Sequence, residues 1–126
     1  MSKLQGTKYI MPQELEVWYV LPAIRRELAK AFLDLELSRE KIASILGVSK
    51  ASISHYLRRK RAIKVDFDKE LIHKIRGAAE RIATNNELYM KEVQKLCKFI
   101  RKSRRLCQIH RERENSTYAT CTVCLE

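Results

Sequence analysis

Cys97, Cys107, Cys121 and Cys124 all fall in the last third of the chain, spaced Cys-x9-Cys-x13-Cys-x2-Cys. Only the last pair has the two-residue gap of a metal knuckle, in which neighbouring thiolates grip one ion. In a reducing compartment four thiolates suit zinc or an iron–sulfur cluster better than structural disulfides. His110, three residues after Cys107, is a nitrogen donor able to replace one sulfur. The same residues also fit redox-active thiols or disulfides, or ordinary cysteines without a role, so the residues alone leave a cofactor, a thiol switch and no cofactor all open. Catalysis is not expected. There is no Gly-rich phosphate loop, paired-carboxylate set or Ser/His/Asp constellation, and a Cys107–His110 nucleophile pair would sit on a basic helix end with no evident pocket.

The second chemistry-bearing feature is charge. Among 126 residues, 26 Lys and Arg face 15 Asp and Glu, a formal net charge of +11, and the isoelectric point is near 9.8. That balance is what a polyanion binder shows, because each phosphate contact releases condensed counterions. The charge is clustered: Arg58, Arg59, Lys60 and Arg61 form one group, and residues 95–113 form another with Glu112 as its one acid. The basic face of the last helix, with Lys95, Lys98, Arg101, Lys102, Arg104 and Arg105, is a candidate for flanking phosphates. No apolar run approaches a membrane span and the N-terminus has no signal-peptide core, so a cytoplasmic protein without a membrane partner is expected.

These groups need elements to hold them. With 45% hydrophobic residues, 3 Gly and 2 Pro, the chain suits helices with short connections rather than a turn-rich β fold. Pro12 opens a helix, Pro22 kinks or restarts it, and apolar residues continue at spacings of three and four to Leu35. Trp18 and Phe32 are expected in the core, with Arg26 and Lys30 on the opposite side. Ser38 caps a helix over residues 39–46 that ends at Gly47, and Ser49 caps another to about Arg59. Asp66 or Asp68 caps a fourth, with a stripe of Leu71, Ile72, Ile75, Ala79 and Ile82. A fifth, long helix runs from Glu87 to about Arg105, with Tyr89, Val93, Leu96 and Ile100 at helical spacing. Residues 115–126 have no assignable element.

The informative window is residues 39–58. Two short helices crossing over a three- to four-residue turn need a small residue at the crossing, a positive φ in the turn, and apolar contacts that fix the angle. Ala43 supplies the first, Gly47 the second, and Ile42, Leu46, Val48, Ile53 and Tyr56 the third.

This window resembles the helix-turn-helix of lambda-repressor-like (Xre-like) transcriptional regulators. More narrowly, Leu21-Pro22-Ala23-Ile24-Arg25-Arg26-Glu27-Leu28-Ala29-Lys30, Ile42-Ala43, Leu46-Gly47-Val48-Ser49 and Ala51-Ser52-Ile53-Ser54-His55-Tyr56-Leu57, with Lys60 and Arg61, are similar to a group of archaeal regulators. The resemblance implies an all-α fold: a helix-turn-helix DNA-binding domain over residues 1–65, then a segment over 66–126 with two further helices for dimerisation and a short Cys-containing tail. It implies double-stranded DNA as partner and a homodimer on a near-palindromic operator. The stripe of Tyr89, Val93, Leu96 and Ile100, together with Leu71, Ile75 and Ile82, is the candidate pairing surface, the alternative being that these helices pack on each other within one chain. Cysteines near the end of the long helix in the similar regulators point to an iron–sulfur cluster, with zinc the alternative, on Cys97, Cys107, Cys121 and Cys124.

Ser49, Lys50, Ala51, Ser54, His55 and Arg58 are expected on the outer face of the second helix. Ser49 and Ser52 can donate to a phosphate or a base edge, Lys50 can reach guanine O6 or N7, Ala51 offers a methyl to thymine, and His55 can donate to an acceptor. Arg39 is placed near the DNA backbone, and Arg58, Arg59, Lys60 and Arg61 suit phosphates, which position a protein without reading sequence. Two other functions compete: a basic architectural protein that binds DNA or RNA without sequence preference, and an adaptor whose C-terminal helices dock another protein.

Overall fold

Pro12 occupies the first turn of a helix, where its missing N–H removes no bond. The Met11 N–H donates to Glu14 Oε1 at 2.8 Å and closes that end. The computed structural model describes residues 10–58 and 65–114, with side chains to residue 112. Helix α1, Pro12–Leu15, passes into a π-helical segment, Glu16–Val20, and then into α2, Leu21–Asp34. Pro22 explains the irregularity. It has no N–H for the carbonyl four residues back and its ring crowds that carbonyl. The wider turn absorbs both, and the Leu21 N–H reaches back to the Glu16 carbonyl.

The π turn resets the helical phase. Leu15 and Val20, five residues apart, are both fully buried, whereas Val17 is 59% exposed. Trp18, expected in the core, is only half-buried and stands outside it, because the extra residue in the turn rotates it off the apolar face. Phe32 is fully buried, as expected.

Helix α2 ends in a Schellman-type turn with Glu36, not glycine, in the left-handed region at φ 68°. The Leu37 N–H bonds to the Phe32 carbonyl at 3.0 Å and the Glu36 N–H to that of Leu33 at 2.8 Å. Helix α3 is Arg39–Leu46, with Ser38 Oγ accepting from the Lys41 N–H at 3.1 Å. Helix α4 is Lys50–Arg58 and α5 is Lys69–Thr84. A 3-10 turn, Asn86–Leu88, leads into α6, Tyr89–Lys102, and α7 is Arg105–Glu114. There is no strand among the described residues, so the described fold is all-helical; residues 115–126 lie outside it.

The long helix expected from Glu87 to about Arg105 is therefore broken. Ser103 and Arg104 form a turn, with Arg104 at φ 67°. Burial explains the break. Leu106, Cys107 and Ile109 are all at least nine-tenths buried, and an unbroken rod would have carried them away from the core.

Helix α2 is central, packing against α3, α4 and α5. One apolar cluster joins Ile24, Leu28 and Phe32 of α2 to Ile42 and Leu46 of α3, Ile53 of α4, Leu71, Ile75 and Ile82 of α5, and Val93, Leu96 and Ile100 of α6. Residues on either side of the expected division at 65/66 thus share one core. Leu71, Ile75, Ile82, Val93, Leu96 and Ile100 are each under 9% exposed within a single chain, and Tyr89 packs against them. This corrects the surface expected for pairing: the stripe is used inside the protomer.

Arg26, expected on the solvent side, is also corrected. It is 7% exposed, and its Nη2 donates to the Val65 carbonyl at 2.9 Å while Nε bonds Glu27 Oε2 at 3.0 Å. The guanidinium ties the chain entering α5 back onto α2.

Candidate nucleic-acid interface

Ser38 and Ser49 set the two helix starts and Gly47 sets the angle between them. Gly47 sits at φ 71°, ψ 32°, and the Val48 N–H reaches back to the Ala43 carbonyl at 3.0 Å. This left-handed residue stops α3 and lets α4 begin three residues later, at Lys50. Ser49 Oγ accepts from the Ser52 N–H at 3.1 Å, satisfying one orphan donor of α4. The two helices pack on each other and on α2, with Ala43 at 7% exposure between them and Ile53 at 0%.

Residues 50, 51, 54, 55 and 58 share one side of α4 by helical geometry. Lys50, Ala51, His55 and Arg58 are exposed, as are Ser49 before the helix and Arg39 at the start of α3; Ser52 and Ser54 are half-buried. On the other side Ile53 is buried, and Tyr56 and Leu57 pack against the core. Tyr56 is half-buried, less enclosed than its expected core role.

Contacts within the pair of helices organise this face. Arg39 Nη1 donates to Ser54 Oγ in a long contact of 3.5 Å. Lys50 Nζ stands 3.5 Å from Glu40 Oε2, with both side chains well exposed, so the pair adds little stability but restrains the lysine beside α3. Ser49 Oγ and Ser52 Oγ lie 3.0 Å apart. Ser49 is thus occupied as a cap, which leaves Lys50, Ala51, His55 and Arg58 as the projecting members. Glu40 was not legible in the sequence as part of this face; only its position beside Arg39 hinted at it. Arg59, Lys60 and Arg61 lie outside the described residues.

The second basic group is divided by the fold. Arg101 Nη1 bonds Glu16 Oε2 at 2.7 Å. Arg105 makes a bidentate pair with Asp68 at 2.8 Å for each bond and also reaches Glu70 at 3.0 Å. Arg105 and Lys74 further lie over the Phe99 ring, 4.8 and 4.6 Å from its centroid. The Arg105 bond holds the Asp68 carboxyl well below its usual value, at about 2. Asp68 stands at the N-cap of α5, yet its side chain serves Arg105 rather than the helix amides. Arg101 and Arg105 are therefore structural anchors, a correction to their expected place on an open phosphate-binding face.

Of the four cysteines, Cys97 and Cys107 are buried and unpaired, each 4% exposed, while Cys121 and Cys124 lie outside the described residues. Burial, reinforced by Glu16, pushes the Cys97 thiol up to about 11, so it is held as the neutral thiol at neutral pH. Helix α7 places Cys107 and His110 one turn apart. No group of three or more His, Cys, Asp and Glu able to hold a metal occurs among the described residues. None of their helices is long and apolar enough to cross a membrane. Comparison with protein-family models, characterised proteins and solved structures finds no match to this chain.

Proposed function

We propose that the protein is a cytoplasmic, sequence-specific DNA-binding regulator of transcription, acting as a homodimer on a near-palindromic operator. The observation that carries this reading is the α3–turn–α4 unit. A glycine at positive φ separates two short helices, the inner side of the second is pinned by Ile53, and its outer side leaves Lys50, Ala51, His55 and Arg58 in solvent. A helix presented in this way fits a major groove, where Lys50 can meet guanine and the others can meet a methyl, a base acceptor or phosphate. Because the apolar stripe of α5 and α6 is internal, pairing would use another surface. Selection from a random duplex library with the full-length protein tests the reading: a recurrent motif supports it, and recovery of unrelated sequences refutes it.

The net charge of +11 favours one competitor, a basic protein that binds duplex or RNA without sequence preference. Such a protein would hold random and selected duplexes alike. A metal-, cluster- or thiol-dependent response belongs to the proposal only as a subsidiary part. Cys97, Cys107, Cys121 and Cys124, with His110 able to replace one of them, are its donors, and metal analysis of anaerobically purified protein, with DNA binding measured before and after oxidant, decides it.

A further inference from the structure

Lys91, Lys95, Lys98 and Lys102 are all exposed on α6. Their spacings of four, three and four residues place them in one stripe along a single face of the helix. At 1.5 Å per residue the stripe is about 16 Å long, long enough to lie along a few phosphates of a duplex. Glu92 is the one acid of α6, and it is turned inward: 3% exposed, it is held by two 3.0 Å bonds from Arg81. Lys95 approaches it only to 3.9 Å, and Lys91 and Lys98 enter no ion pair among the described residues. While Arg101 and Arg105 are consumed by internal acids, Lys91, Lys95 and Lys98 stand exposed along the outer side of α6.

Arg25 of α2 interacts with the hydroxyls of both Tyr56 on α4 and Tyr89 at the start of α6, which ties the inner side of α6 to the domain that carries α4. Lys91, two residues after Tyr89, starts the opposite, outward side of the helix.

We propose that the Lys91, Lys95, Lys98 and Lys102 face of α6 is a second contact for the phosphate backbone of duplex DNA. It supplies affinity without base preference. The inference rests on the DNA-binding reading above, and the two can fail separately.

The test is binding of the full-length protein to a 40-base-pair random-sequence duplex, followed by fluorescence anisotropy across a salt series. The slope of log affinity against log salt is about 0.9 per phosphate contact. Changing all four lysines to glutamine should lower the slope by about 2 to 4, and Lys91→Gln/Lys98→Gln by about 1 to 2, with unchanged thermal unfolding. The double variant removes no ion pair and keeps the test valid if the quadruple variant folds poorly. A charge-matched control, Lys30→Gln/Lys69→Gln, should leave the slope within about 0.5 of the parent. Equal slopes for the stripe variants and the control overturn the second contact while leaving α4 untouched. Stripe effects with no change of base preference in Lys50→Ala overturn the reading of α4 alone. A parent protein that binds no duplex overturns both.

Discussion

Gly47→Ala isolates the turn on which the α3–α4 unit depends. A Cβ built at Gly47 meets nothing within 4 Å, so no steric cost arises. What remains is the backbone. At φ 71° an L-residue other than glycine bears about 1–2 kcal/mol of local strain. Loss of glycine's freedom in the unfolded chain offsets roughly 0.4–1 kcal/mol of this. The expected net destabilisation is about 1 kcal/mol. Gly47→Asn should cost less, since asparagine tolerates the left-handed region. Urea unfolding followed by circular dichroism measures both: with an m value of roughly 2 kcal/mol per molar, the Ala midpoint should fall by about 0.5 M at unchanged m. A variant as stable as the parent would mean that the turn does not hold residue 47 at positive φ. A loss above about 3 kcal/mol would mean that the space around it is filled.

Arg26→Met should destabilise by about 1–3 kcal/mol, because it strands the Val65 carbonyl and leaves half-buried Glu27 to Lys30 at 3.6 Å, and Arg26→Lys should restore only part of the loss; thermal or urea unfolding of both variants checks this. The Arg105 bond depresses the Asp68 carboxyl from its ordinary value near 4 to about 2. Its stabilising contribution is thus full above about pH 4 and lost as pH falls through 2. An acid unfolding series should show a shallower loss over that range in Asp68→Asn than in the parent, and identical profiles would show that the pair adds nothing. Cys97, with its thiol pushed up to about 11 by burial, should resist alkylation at pH 8 in the folded protein and react fully in urea. Peptide mass spectrometry reads this out, and labelling of the native protein at the rate of a free thiol would contradict it.

Local chemistry was the legible part of the sequence. Ser38, Gly47 and Ser49 each act within their own turn, so the limits of α3 and the start of α4 could be read directly, as could Ile53 inward and Lys50, Ala51 and His55 outward. Long-range partners were not legible. Arg101 and Glu16 are 85 residues apart and Arg105 and Asp68 are 37 apart, so nothing in the basic run itself marked those two arginines as anchors. Arg26 read as a solvent-side residue because only the tertiary fold brings the Val65 carbonyl to it. The break at Ser103 and Arg104 carries neither glycine nor proline; burial of Leu106 and Ile109 imposes it. The π turn was half visible: Pro22 signalled an irregularity, but the five-residue step from Leu15 to Val20 matches neither helical spacing that was sought. The apolar residues of α5 and α6 were recognised as a face, but sequence alone does not say whether such a face meets its own chain or a second one.

The most direct measurement is the affinity of the full-length protein, at one fixed salt concentration, for the best duplex from library selection and for a scrambled duplex of equal length, repeated with Lys50→Ala. If the outer side of α4 reads bases, the parent should prefer the selected duplex by roughly 10³-fold or more. Lys50→Ala should then lose about 1–3 kcal/mol of discrimination at one base pair while holding the scrambled duplex nearly as well. Equal affinity of the parent for both duplexes, or an unchanged preference in Lys50→Ala, would contradict the assignment of that face.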